Sequence, residues 1–158
     1  MSYGGVLPYA RHQGQLWLLL GQELREEGWS GSEKWAPFGG GVDPGETLEE
    51  AAAREGYEES MGLLGSKASL RRRGQRWSHQ GGLTLLLPFS YDRRLPRYFR
   101  QFFTYAKRCL RQTCPEGWYE KTRIAWVRLD RVHTLDLRPE FRRTLRSLQQ
   151  RLETVAEE

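Results

Sequence analysis

Cysteine is scarce in this 158-residue chain: Cys109 and Cys114 are the only two. Two thiols exclude a disulfide framework and a zinc site built from cysteine alone. They read as free thiols of a reducing, cytoplasmic compartment. Long apolar runs are also lacking. The segment Leu83 to Leu87 falls far short of the ~18 residues that read as a membrane span. The opening Met1-Ser2-Tyr3-Gly4-Gly5 has no basic segment followed by an apolar run, so no secretory leader is expected. No internal repeat, linker or low-complexity tract interrupts the chain. The expected organisation is one domain over residues 1–158, large enough to bury roughly 70% of its unfolded surface.

Charge is plentiful and unevenly placed. The net charge is +5, yet residues 1–66 hold 4 basic and 11 acidic groups. Residues 67–128 hold 15 basic and 3 acidic ones, and residues 129–158 hold 6 of each. Such asymmetry within one domain suggests an acidic site beside a basic surface.

The hydrophobic pattern predicts alternating strands and helices. Val6 to Tyr9 and Leu16 to Leu20 read as strands joined by a turn over Arg11 to Gln15. Gly28 to Ser32 reads as a polar, glycine-rich loop. Trp35 to Val42 reads as a strand interrupted by Gly39, Gly40 and Gly41, where the backbone must bend or approach something closely. Asp43-Pro44-Gly45 signals a turn. Thr47 and Glu50 form a capping box, which starts a helix expected to reach about Ser60 and stop at Gly62. Leu70 to Trp77, Leu83 to Phe89 and Ile124 to Leu129 read as further strands. Leu95, Phe99, Phe102, Phe103, Ala106 and Leu110 recur at helical spacing, with Pro96 in the first turn. Phe141, Leu145, Leu148, Leu152 and Val155 define a C-terminal amphipathic helix.

The acidic helix carries the chemistry. Glu55 and Glu59 are four apart and share a face, with Glu58 beside them. Bare like charges at this spacing cost a helix roughly 0.2–0.5 kcal/mol per pair. A divalent cation reverses that sign, and Mg²⁺ favours carboxylate oxygens together with water and substrate phosphate. Arg54 is placed to hold one carboxylate by a bidentate contact. An ordinary solvated acidic helix is the plain alternative.

The whole pattern is more specific than that pair. Gly40, Glu46, Arg54-Glu55 and Glu58-Glu59 resemble the Nudix hydrolase signature, Gly-x5-Glu-x7-Arg-Glu-aliphatic-x-Glu-Glu-x-Gly-aliphatic, over a box of about 40–63. Two positions depart from it. Gly56 stands where an aliphatic residue is usual, and Ser60 and Met61 separate Glu59 from Gly62 where one residue is usual. The form REGYEESMGL resembles a variant branch of the family found in large DNA viruses.

The resemblance implies an α+β fold, a Nudix-type α/β/α sandwich around a mixed sheet. It implies metal-dependent cleavage of a diphosphate linked to another group, usually in a nucleoside diphosphate. Glu55, Glu58 and Glu59, with the Gly39 carbonyl, would bind Mg²⁺ or Mn²⁺. Arg54 would orient a carboxylate, and Glu46 would support the loop and helix. An additional carboxylate from outside the box is implied, with Glu120 the first candidate and Glu116 the second. Glu59 or Glu120 would act as general base.

The basic segment bears on the substrate. Arg97, Arg100, Lys107, Arg108 and Arg111 fall on one arc of the second long helix, and Arg71, Arg72, Arg73 and Arg76 add to it. A basic stripe with aromatic neighbours attracts polyanions. RNA, a capped mRNA end, a dinucleoside polyphosphate or an inositol polyphosphate would each suit it, and acidic lipid ranks lower. Trp77 and His79 are minor pocket candidates. The competing function is a non-catalytic Nudix module that binds RNA or another polyanion through residues 71–111.

Overall fold

The computed structural model describes residues 2–114 and 116–157, with the backbone alone at 116, 156 and 157. Its first two strands, β1 (Tyr3–His12) and β2 (Gln15–Glu23), form a hairpin. Gln13 and Gly14 both take positive φ, 53° and 74°. That is the geometry of a two-residue type I′ turn, whose twist matches the flanking strands. The strands are therefore longer, and the turn shorter, than the sequence pattern suggests.

Among the described residues the strands form a seven-stranded sheet. One edge of β1 pairs in parallel with β6 (Gly82–Pro88), which carries β5 (Gln75–His79) antiparallel on its far side. The other edge of β1 is shared. Its start pairs with β4 (Phe38–Gly41), and its end pairs with β2. β2 continues to β3 (Trp35–Ala36) and, on its opposite edge, to β7 (Lys121–Arg128). The sheet is therefore mixed, with helices on both faces: α1 (Leu48–Glu59), α2 (Lys67–Arg73), α3 (Leu95–Cys109) and α4 (Pro139–Glu157).

Strand alternation divides the core in two. Val6, Leu19, Leu83, Leu85 and Leu87 face one side, where they meet Ala52 and Ala53 of α1, Leu70 of α2, and Phe99 and Phe103 of α3. Leu7, Leu18, Leu20 and Leu86 face the other, against Phe141, Leu148 and Leu152 of α4. Each fully buried leucine contributes about 1.5–3 kcal/mol. The result is the expected α/β/α sandwich.

One element differs from its expected type. Leu70 to Trp77 reads as a strand, but its first half is α2. The Ser66 side chain caps that helix by accepting the Ser69 N–H at 3.1 Å. Leu70 is fully buried, while Arg71, Arg72 and Arg73 occupy the last turn, where cations complement the helix dipole. A Cβ at Gly74 would lie 2.8 Å from the Leu70 carbonyl oxygen and from the Leu85 Cβ, so the chain narrows there before β5.

Candidate metal centre and substrate cleft

Helix α1 reaches the sheet unusually closely. Thr47 is its N-cap and accepts the Glu50 N–H at 3.1 Å. A Cβ on Gly4 would lie 2.7 Å from the Ala52 nitrogen and 2.8 Å from the Leu48 carbonyl oxygen. A Cβ on Gly56 would lie 2.5 Å from the Val6 Cγ2. Gly56 thus removes the side chain that would hold the helix off β1. This accounts for a glycine at the position that is aliphatic in the Nudix signature. At the C-terminus, Met61 takes φ 54° and Gly62 φ 79°, and the Gly62 N–H reaches the Tyr57 carbonyl at 2.8 Å. The extra residue is absorbed after Glu59, and the Met61 side chain enters the core.

This close packing brings the acidic face against the glycines of β4. The Gly39 N–H donates to the Glu59 Oε1 at 2.7 Å. A Cβ on Gly40 would lie 2.7 Å from the Glu55 Oε1, and one on Gly39 would collide with the Tyr3 hydroxyl. Gly41 has open space around its Cβ position. The Tyr3 ring thus leaves no room for a side chain at Gly39, and a side chain at Gly40 would displace the Glu55 carboxylate.

Arg54 ties the loop to the helix. Its Nε and Nη2 donate to the two Glu46 carboxylate oxygens at 2.8 and 3.0 Å. Nη2 also donates to the Gly41 carbonyl at 3.1 Å, and Nη1 to the Glu55 Oε1 at 3.1 Å. These hydrogen bonds hold Glu46 below its usual carboxylate range. Arg54 thus bridges the Glu46 carboxylate, the Gly41 carbonyl and the Glu55 carboxylate.

The third carboxylate comes from the distant end of the chain. A 3-10 turn over Glu116–Tyr119 leads into β7, and Glu120 lies between them. Its carbonyl accepts the Leu24 N–H at 2.8 Å. Glu55, Glu59 and Glu120 each place a carboxylate oxygen within 4.8 Å of the others. Glu55 and Glu59 are buried and Glu120 is exposed. Burial raises Glu55 to about 7, opposed by Arg54 and aided by Glu120 and Glu58. Burial likewise pushes Glu59 well above the carboxylate range, against the pull of Lys121. Glu58 stands outside this trio. Its carboxylate lies 3.5 Å from the Arg54 Nη1 and packs over Gly117. The side chain of Glu116 lies outside the described residues.

The donor set fits a hard divalent cation. It is all carboxylate oxygen, as Mg²⁺ and Mn²⁺ prefer. Like-charged buried groups this close also require a cation or protons.

The trio opens onto a cleft of about 320 Å³. Gly39, Gly40 and Gly41 form one wall, and Glu23, Trp29 and Arg138 lie elsewhere around it. Beneath it, Lys121 is fully buried and its Nζ meets the Glu23 Oε1 at 2.5 Å. Gly21 makes room for the lysine stem, since a Cβ there would lie 2.7 Å from the Lys121 Cδ.

The basic candidates lie elsewhere. Helix α3 packs on β7 and on the 3-10 turn before Glu120 but does not line the cleft. Arg97, Lys107 and Arg108 are exposed, while the Arg100 Nη1 donates to the Thr122 carbonyl at 3.0 Å. Arg72 is exposed on α2. Arg71 and Arg76 face Glu49 at 4.0 and 3.1 Å. Trp77 is core, packed at 4.8 Å from the His79 ring, and neither lines the cleft.

Sequence reasoning missed Glu23, Lys121, Trp29 and Arg138. Glu23 and Lys121 are 98 residues apart, and no local pattern marks them. Trp29 did leave a signal, an aromatic residue inside the polar loop Gly28 to Ser32.

A family model for the NUDIX domain matches residues 4–148. A Nudix hydrolase from M. smegmatis, RenU, superposes with a TM-score of 0.59 at 18% identity, covering 98% of this chain and 86% of that one. A C. elegans Ap4A hydrolase binary complex gives 0.57 at 19% identity, covering 97% and 99%. The NUDIX domain of Shewanella oneidensis NrtR, complexed with ADP ribose, gives 0.55 at 17% identity, covering 96% and 88%. Among curated proteins none matches.

Proposed function

The chain belongs to the Nudix family, and from that premise we propose that it is a divalent-metal-dependent hydrolase of a diphosphate linkage in a nucleoside diphosphate joined to a further group. The observation that carries this reading is the trio Glu55, Glu59 and Glu120 around one cleft, backed by the glycine strand and braced by Arg54. Glu55, Glu59 and Glu120 would hold Mg²⁺ or Mn²⁺, with Glu58 and Gly39 adjoining. When bound, the cation supplies charge neutralisation at phosphoryl oxygens and a lowered pKa for the attacking water. Glu59 is tied to the Gly39 amide, whereas Glu120 is the exposed member. Glu120 is therefore the better placed of the two to accept a proton from water.

Glu59→Gln is expected to lower Mg²⁺-dependent turnover by at least 100-fold, with circular dichroism unchanged. Full activity in that variant would sink the site. The panel that identifies the substrate should contain nucleoside triphosphates, nucleotide sugars, ADP-ribose, dinucleoside polyphosphates, capped RNA and diphosphoinositol polyphosphates. Ap4A and ADP-ribose belong there because two superposable structures carry those names.

A second reading has its own support. Tyr98 and Tyr105 are 42% and 55% exposed on α3, among Arg97, Lys107 and Arg108. Exposed rings among cations suit single-stranded RNA. A non-catalytic RNA-binding module would use that face alone, but it gives no reason to bury Glu55 and Glu59 together. RNA therefore fits better as part of a substrate, an mRNA cap included.

The kinship with a viral branch rests on the wording of residues 54–63 alone. A reducing, cytoplasmic setting is proposed on the scarcity of cysteine in the sequence alone. No helix among the described residues is long and apolar enough to cross a membrane.

A further inference from the structure

The loop between β2 and β3 is built to present one ring. The Glu26 N–H donates to the Ser32 Oγ at 2.8 Å, the Trp29 N–H to the Glu26 carbonyl at 3.2 Å, and the Ser32 N–H to the Trp29 carbonyl at 3.2 Å. Gly28 takes φ 83°, so the turn before Trp29 needs glycine. A Cβ on Gly31 would lie 2.5 Å from the Trp29 Cζ2, so the indole folds back over the loop only because Gly31 has no side chain. The ring is held half-buried at the cleft.

A cation from the far end of the chain meets it. The segment before α4 is laced to β3: the Trp35 N–H donates to the Asp136 carbonyl at 2.9 Å and the Arg138 N–H to the Trp35 carbonyl at 3.0 Å. This fixes Arg138 with its guanidinium carbon 5.3 Å from the Trp29 ring centre. Its Nη1 lies 3.7 Å from the Glu23 carboxylate. Its Nε is buried without a hydrogen-bond partner, the Glu140 carboxylate being 3.7 Å away. Such an orphan donor is costly unless a ligand or water meets it.

The composition of the cleft sharpens this. Among the described lining residues, Glu23, Glu26, Glu55, Glu59 and Glu120 are acids, Arg138 is the one cation and Trp29 the one aromatic ring. A free phosphate has no other cationic side chain to meet there, and a base has no other ring. We propose that Trp29 and Arg138 form the nucleoside subsite of this cleft. The base stacks on the Trp29–Arg138 pair, and Arg138 donates to the phosphate nearest the nucleoside. This rests on the hydrolase reading for the identity of the ligand, but its test does not depend on turnover.

The probes are α,β-methylene-ADP and α,β-methylene-UDP, which resist hydrolysis at that bridge, and methylenediphosphonate, which has no base. Binding to the full chain with Mg²⁺ is measured by calorimetry. Trp29→Leu is expected to weaken the nucleotide analogues about tenfold and leave methylenediphosphonate within about twofold. Trp29→Phe should recover most of the lost affinity, which guards against a loop that merely misfolds. Arg138→Gln should weaken all three probes. Equal binding of the nucleotide analogues by wild type and Trp29→Leu overturns the subsite, as does failure of both analogues to bind the wild type. Absence of hydrolysis across a substrate panel would sink the preceding reading while leaving this binding result standing.

Discussion

At Glu55, burial and charge pull against each other. Removal from water raises its carboxyl, the Arg54 guanidinium lowers it, and the nearby Glu120 and Glu58 raise it again, for a value of about 7. The unfolded chain holds the same proton only to about 4.5. The folded pKa is thus the higher one. In the metal-free protein, this contribution to stability is complete below about 4.5 and is lost as pH rises through 7. Divalent metal binding requires the ionised carboxylate and acts in the opposite direction. Between pH 8 and 5.5, titration of this single group would weaken apparent Mg²⁺ affinity by up to about 30-fold. The rise in melting temperature produced by 10 mM Mg²⁺ is therefore expected to be larger at pH 8 than at pH 5.5. Equal rises at both values would mean that Glu55 does not ligate the ion.

Helix α1 shows how an element can trade intrinsic stability for position. Gly56 costs its interior about 1 kcal/mol relative to alanine. An alanine methyl would meet the fully buried Val6 at 2.5 Å, and overpacking a core costs about 1–3 kcal/mol. Gly56→Ala is therefore expected to lower stability in urea unfolding despite its better helix propensity. A stabilised variant would refute the close-packing account. The same local physics explains what could be read in advance. The Thr47 cap, the i, i+4 glutamates and the amphipathic faces of α3 and α4 are all short-range patterns. Glu120 carries no such local pattern and enters only through the family resemblance, which implies a further carboxylate from outside the box. Helix α2 escaped because seven residues carry little periodicity, and its state is decided by the Ser66 cap and the burial of Leu70. Trp29, Arg138 and the Glu23–Lys121 pair escaped for a related reason: their partners lie in distant segments, so only the assembled sheet brings them together.

Across the whole molecule, the acidic and basic halves of the sequence become two separate places. The cleft gathers glutamates around Arg138, while α3, packed on the same sheet face as α1, carries exposed Arg97, Lys107 and Arg108 outside it. A short substrate would fill the cleft without need of α3. A long polyanion anchored in the cleft would have phosphates left over, and α3, which packs on the 3-10 turn before Glu120, would be a basic surface for them. Arg97 and Arg108 are the positions to reverse, because Arg100 is engaged with the Thr122 carbonyl and its loss would disturb β7. Each phosphate neutralised on a single strand contributes about −0.7 to the slope of log affinity against log salt. The double variant Arg97→Glu/Arg108→Glu is expected to flatten that slope for a 20-nucleotide RNA by about 1.4. It should weaken RNA binding at low salt far more than binding of a mononucleotide. Filter binding across a salt series reads both effects. Equal losses for RNA and mononucleotide, or an unchanged slope, would show that α3 is only a solvated face and that the substrate ends at the cleft.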